Sequence, residues 1–291
     1  MTRKPGRRRI KRFALVALLL AFFAFLFWVG RDLTNADALD VSFYQVKNEK
    51  IENRMRIVQL SDLHLHEFGV GNERLLERIK ALSPDMIAVT GDMNIAGNPD
   101  EKAVISLCAA LVQIAPTYYS LGNHEYTAQL FHGSTIMKEV AALGVTVVDN
   151  DAVTASIAGN EVLVVGLSED VDSLSLPYKG STVQAYIEGL IDDYDGFSLL
   201  LAHYPHLFSS ALKNCACDLA LAGHAHGGQV RLPVVGALYA PDQSFFPKLT
   251  EGQHNLSGGG QLIISRGLGN SSAIPRFNNN CELVVIDVNC Y

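Results

Sequence analysis

The sequence predicts an α/β domain built on two sheets and preceded by one N-terminal transmembrane helix. Three observations lead there. The 18 residues from Phe13 to Gly30 carry no charge. Between residues 41 and 121, short apolar runs alternate with amphipathic stretches, as strands joined by crossover helices do. Beyond residue 150 the apolar runs crowd together between turn residues, which adds a second sheet richer in strands.

Residues 1–12 form a basic terminus in which Arg3, Lys4, Arg7, Arg8, Arg9, Lys11 and Arg12 have no acidic neighbour. That asymmetry holds the terminus in the cytoplasm and puts everything after Gly30 on the other side. Residues 13–30 are apolar on every face and long enough to span a hydrocarbon core as a helix, with Trp28 at the far edge where an interface anchor sits. The expectation is a retained single-pass anchor with an extracytoplasmic domain. Cleavage and export is the alternative, because Ala36-Asp37-Ala38 has the small-x-small form of a processing site. Residues 31–40 read as a polar linker and 41–291 as the folded domain.

Within the domain, residues 41–46 alternate as a first strand before the turn-like Lys47-Asn48-Glu49-Lys50. Strands are then expected at 56–60, 86–90 and 118–121, with helices at 72–82 and 101–114 between them. Residues 153–157 and 161–165 flank Ala158-Gly159-Asn160 as a hairpin. Further strands are expected at 198–202, 219–222, 262–265 and 282–288, with a helix at 206–214 and a flexible loop at Gly258-Gly259-Gly260. The five cysteines lack zinc-ribbon spacing and read as small buried residues with at most one disulfide. The chain carries −7 overall while residues 1–31 carry +8, which leaves −15 on the rest. So acidic a body argues against bulk binding of nucleic acid, which needs cationic surface to displace counterions. Oligomeric state is not legible.

Chemistry-bearing residues fall where strands end: Ser61-Asp62-Leu63-His64, Thr90-Gly91-Asp92, Gly122-Asn123-His124-Glu125, Ala202-His203, and Gly223-His224-Ala225-His226. In an extended backbone, residues two apart point the same way, so Asp62 with His64, and His224 with His226, can converge on one ion. Singly, each cluster is ordinary: an Asp or Asn at a strand end usually serves a turn or caps a helix. Five of them, each after an apolar run and each offering oxygen or imidazole donors, make coincidence a poor account. Ligands of open α/β sheets collect at these carboxyl ends.

In that order and spacing the five clusters resemble those of the calcineurin-like metallophosphoesterases, over about residues 54–290. More locally, residues 223–233 and Arg266-Gly267-Leu268-Gly269 resemble small membrane-associated or exported bacterial phosphodiesterases, including enzymes similar to UDP-2,3-diacylglucosamine pyrophosphohydrolases. The resemblance implies a four-layer α-β-β-α sandwich of two mixed sheets, with a dimetal site at the C-terminal ends of strands. It implies that Asp62, His64 and His226 bind one metal and that Asn123, His203 and His224 bind the other, with Asp92 bridging. His124 would be the catalytic residue beside them. Where many members have Gly-Asp-x-x-Asp, this chain has Ile95 in place of the second acid, which is not a usual direct ligand.

Imidazole, amide and carboxylate donors without thiolate suit two divalent transition-metal ions, Mn, Fe or Zn, with Mn favoured. The implied reaction is in-line attack on phosphorus by a water that both ions acidify, on a phosphodiester or pyrophosphate at the membrane or envelope, lipid-linked or nucleotide-linked. Arg231 and Arg266 are weaker candidates for phosphate contacts, and His66 for the pocket rim, while His132, His206 and His254 read as surface or packing residues. Two rivals share these features. One is a phosphomonoesterase or protein phosphatase with the same metal core. The other is a catalytically silent, membrane-tethered binding protein, whose expected signature is lost ligands, yet every position is filled.

Overall fold

A computed structural model describes residues 13–20, 22–23, 30, 38–98, 100–168, 183–270 and 274–290. Of the predicted span 13–30, residues 13–20, 22, 23 and 30 are helical and exposed. The rest of it, with 31–37 of the predicted linker, lies outside the described residues. No helix among the described residues is long and apolar enough to cross a membrane.

The domain opens at β1 (Leu39–Lys47), two residues before the predicted boundary. It continues through β2 (Met55–Leu60), α1 (Glu73–Leu82), β3 (Met86–Val89), α2 (Lys102–Leu111), β4 (Thr117–Tyr119), α3 (Asn123–His132), α4 (Ile136–Ala142) and β5 (Thr146–Val147). The second half comprises β6 (Asp151–Ile157), β7 (Asn160–Leu167), α5 (Val183–Ile191), β8 (Phe197–Ala202) and β9 (Leu219–Ala222). Two small hairpins follow, β10 (Arg231–Leu232) with β11 (Gly236–Ala237) and β12 (Tyr239–Ala240) with β13 (Ser244–Phe245). β14 (Gly252–Asn255), β15 (Gln261–Ile264) and β16 (Cys281–Asn289) complete the chain.

Two mixed six-stranded sheets result, in the orders β1-β16-β2-β3-β4-β5 and β14-β15-β9-β8-β7-β6. The last strand is thus inserted between the first two, parallel to β1 and antiparallel to β2. Side-chain alternation assigns the layers. Met55 and Ile57 of β2 join Phe197, Leu199 and Leu201 of β8 in the core between the sheets, while Val58 and Leu60 face the core under α1 and α2. Leu200 and Ala202 face a third core, under α5 and the 205–214 segment. Strands buried on both faces read as continuous apolar runs, which is why residues 198–202 announced themselves. The arrangement is the α-β-β-α sandwich.

Two expectations change. Residues 206–214 are not a helix: a short 3-10 turn spans Pro205–Ser209 and turns follow. Ser209 and Ser210 donate their hydroxyls to the His206 carbonyl at 2.8 and 3.2 Å, competing for the acceptor that α-helical propagation needs. The segment Gly258-Gly259-Gly260 is a tightly packed turn rather than a flexible loop, since a Cβ on Gly260 would stand 1.9 Å from the Cys217 carbonyl oxygen. All five cysteines are free thiols, and only Cys290 is exposed. The predicted hairpin does form, on Ala158 and Gly159 with φ of 50° and 81°, the double left-handed turn that matches strand twist.

Candidate functional site

The C-terminal ends of β2, β3 and β4 meet those of β8 and β9 along one edge of the sandwich. Gln59 ties the two sheets there, donating to Thr90 Oγ1 (3.0 Å) and to the carbonyl of Ala222 (2.9 Å). The turns after these strands interlock through backbone bonds, Asp62 to Gly91, His64 to Asp92, and Gly223 to His203, at 2.9–3.0 Å.

Asp62, His64, Asp92, His224 and His226 all have left-handed backbones, with φ between 46° and 63°. The convergence of residues two apart therefore comes from tight left-handed turns and not from extended-strand alternation. Such conformations cost of order 1–3 kcal/mol each and persist where surrounding structure over-determines them. Gly91, at φ 87°, cannot be replaced: a Cβ there would lie 2.3 Å from the Gly122 backbone nitrogen. Close contact of those two loops lets the His124 backbone N–H donate to Asp92 Oδ1 at 2.8 Å.

Glu125 lies beneath, fully buried, and closes the start of α3. Its carboxylate accepts from the backbone N–H groups of Asp92 (2.7 Å), Met93 (2.8 Å), Asn94 (3.2 Å) and Gly122 (3.0 Å) and from the Tyr119 hydroxyl (2.9 Å). Burial and Asp92 nonetheless push its carboxyl upward, so its charge is held at a cost.

Around this frame the ligand-type atoms form three overlapping groups, Asp62/His64/His226, His64/Asp92/His124 and Asp92/His203/His224, with the atoms of each within 4.8 Å of one another. Asp92 Oδ2 is central, 3.2 Å from His203 Nε2, 3.7 Å from His64 Nε2 and 3.9 Å from His124 Nε2. Asp62 Oδ1 lies 3.6 Å from His226 Nε2 and 3.9 Å from His64 Nε2. Two imidazole pairs face each other nitrogen to nitrogen, His64 Nε2 to His226 Nε2 and His203 Nε2 to His224 Nδ1, each at 3.3 Å. Two ligands on one tetrahedral cation at about 2.0–2.1 Å stand about 3.3–3.4 Å apart. Asn123 Oδ1 is a buried acceptor with no hydrogen-bond partner among the described residues. The donor set is therefore suited to a dinuclear metal site.

Hydrogen bonds at the outer ring atoms set the tautomers. His203 Nδ1–H donates to the Thr90 carbonyl (2.7 Å) and His224 Nε2–H to Asp242 Oδ2 (2.9 Å), so both turn a lone pair inward. His124 is the reverse. Its Nδ1 accepts from the Ala96 backbone N–H (2.9 Å), which leaves the ring proton on Nε2, facing the cluster. Burial holds His64 below its usual range and takes His226, beside Arg276, down to about 3, keeping both rings neutral. Burial also pulls on His203, but Asp92 and Asp62 outweigh it and lift the ring to about 10. The two carboxylates demand a cation between them, and a metal ion competes for the place of that proton.

Every predicted site residue thus lies at this edge. Arg231 and Arg266 are instead engaged by carboxylates: Arg231 pairs with Glu251, and Arg266 with Asp40 (3.0 Å), Glu282 (3.5 Å) and Glu251 (3.6 Å). His66 packs edge-on against Phe68, with centroids 4.6 Å apart. The site also contains residues that motif reading passes over. Arg276 Nη2 lies 3.2 Å from His226 Nδ1, and Asp242 holds His224 from the β12–β13 turn. Asp242 sits in Pro241-Asp242-Gln243-Ser244, whose composition signals only a turn. Replacing it with Ala is expected to weaken uptake of the second metal ion by about 10–100-fold, read by chelator competition, with uptake of the first retained. Equal affinities in the variant and the parent would remove Asp242 from the site.

A sequence model of the calcineurin-like phosphoesterase family matches residues 55–228. The chain is 31% identical over 239 residues to the uncharacterized metallophosphoesterase YkuE of Bacillus subtilis, covering 79% of this chain and 77% of that protein. It is 26% identical over 273 residues to a second Bacillus subtilis protein, the uncharacterized metallophosphoesterase YkoQ, covering 91% and 95%. Against the phosphodiesterase YaeI of Escherichia coli the identity is 26% over 239 residues, covering 80% and 82%. With the family matched across all five strand-end clusters and the dimetal-type edge assembled from them, the chain belongs to the calcineurin-like phosphoesterases and is a metallophosphoesterase hydrolase.

Proposed function

We propose that this hydrolase is a dinuclear phosphodiesterase or pyrophosphohydrolase working at a membrane surface. The observation that carries the dinuclear reading is the position of the Asp92 carboxylate between the two facing imidazole pairs. Asp62, His64 and His226 would hold one ion and Asn123, His203 and His224 the other, with Asp92 shared. Two divalent ions there, Mn, Fe or Zn, would supply Lewis acidity toward phosphoryl oxygens and lower the pKa of water.

The chain's own residues do the rest. Asp62 and Asp92 would offset the charge of two such ions only in part, which would leave the edge attractive to an anionic phosphoester. His124, its side chain 21% exposed, presents Nε2–H at the open side of the cluster, where a leaving oxygen can take a proton or a hydrogen bond. An alkoxide leaving from a diester needs that help. The similarity to YaeI, named a phosphodiesterase, supports the same choice. The basic terminus and the exposed apolar residues of 13–20 support the membrane part.

The test is full-length protein with Mn, Fe, Zn or Co, assayed on bis(p-nitrophenyl) phosphate and p-nitrophenyl phosphate. Preference for the diester is expected, and preference for the monoester favours the phosphatase reading instead. No turnover with any of these metals would sink the proposal. His124→Ala should lower kcat by about 10²–10⁴-fold on diesters with alkyl leaving groups, and by less on p-nitrophenyl esters, whose leaving group needs little protonation.

A further inference from the structure

The domain receives its N-terminal chain at the catalytic edge. Leu39 pairs with Cys281, and Val284 pairs with Gln59 in the antiparallel register of β16 and β2. Counting back along β16, Cys281 and Leu39 stand level with the turn that carries Asp62. Arg266 binds Asp40 at 3.0 Å and reaches Glu251 at 3.6 Å, and Glu251 also binds Arg231 at the base of the β10–β11 hairpin. A line of ion pairs thus runs from the point where the chain enters the domain to the two hairpins beside the metal-type cluster.

Those hairpins protrude and are apolar. Val234 is fully exposed and Val235 largely so, while Phe245 and Phe246 are 66% and 61% exposed. Tyr239 packs edge-on to Phe245, with centroids 5.5 Å apart. Val234 and Phe246 moreover hold φ of 70° and 56°, where a turn ordinarily takes Gly, Asn or Asp. The same β12–β13 turn delivers Asp242 to His224, so the protrusion borders the site directly.

Apolar side chains at the tip of the β10–β11 hairpin and at the open end of the β12–β13 hairpin suit insertion into a soft apolar medium better than packing on a rigid face. The chain that arrives at this edge comes from residues 13–20, themselves exposed and apolar. We propose that Val234, Val235, Phe245 and Phe246 form a bilayer-contact surface that seats the catalytic edge against lipid headgroups. This rests on the anchor reading above. With −15 on the chain after residue 31, the contact is apolar rather than electrostatic and survives high salt.

The chain has one tryptophan, Trp28, within the predicted anchor, which makes a two-reporter experiment possible. Full-length protein is reconstituted in phosphatidylcholine/phosphatidylethanolamine vesicles with brominated acyl chains, which quench indole emission. Wild-type protein reports the anchor, Trp28→Phe/Phe246→Trp reports the proposed contact surface, and Trp28→Phe/Glu161→Trp reports the opposite end of β7. Wild type and the Phe246→Trp variant should lose more than half of their emission, at low and high salt alike, and the Glu161→Trp variant should lose none. Quenching of Trp28 without quenching of the Phe246→Trp variant overturns the docking surface and leaves the anchor. An unquenched Trp28 overturns the anchor reading, and this proposal with it.

Discussion

Asp92→Asn is expected to lower kcat/KM by about 10³-fold or more and to reduce bound metal from two ions per chain toward one. In the wild type, one oxygen of Asp92 accepts the His124 backbone N–H at 2.8 Å, and the other stands 3.2 Å from His203 and 3.7 Å from His64. Asparagine preserves shape and can keep the first bond. It cannot keep the second function, because an amide nitrogen has no lone pair for a cation and the amide carries no charge. The carboxyl is held well below its usual range: burial works against ionisation, but His203 and His64 overcome it. Metal content by elemental analysis alongside kinetics reads the result. Full activity in Asp92→Ala would overturn the placement of the shared ligand.

Glu125→Ala is expected to destabilise the fold by about 3–5 kcal/mol, because five buried donors lose their acceptor together. Four of those donors are backbone N–H groups of the loops that carry Asp92 and Asn123, so metal uptake should fall with stability. Glu125→Gln retains one oxygen and the packing, and removes a charge that burial already opposes. About 1–3 kcal/mol is expected there. Denaturant unfolding of both variants checks the order. An alanine variant as stable as the parent would show that the loops are held by something else.

The two predictions differ in how much of their basis the sequence displays. Asp92 was legible because it follows an apolar strand and shares its position with four other strand-end clusters. Glu125 belonged to one of those clusters by sequence, but its five donors come from three separate segments. The double left-handed turn at Ala158-Gly159 and the twice-buried strand at 198–202 were legible for local reasons, turn chemistry and unbroken apolarity. Residues 206–214 misled for a local reason too, since the serine hydroxyls that divert the carbonyls leave no mark on hydrophobic periodicity.

The sequence by itself determined the ten longer apolar strands, including all those that lead into the site, and which donor atoms stand at their ends. These are properties of a few consecutive residues, and polarity and turn propensity express them directly. Only the tertiary structure decided that β16 inserts between β1 and β2, that Asp242 fixes His224, and that Ala96 turns the His124 Nε2 proton toward the cluster. It also decided that β1 begins beside the metal-type edge. Each depends on sheet order and on contact between residues far apart along the chain, and local periodicity carries no record of which strand neighbours which.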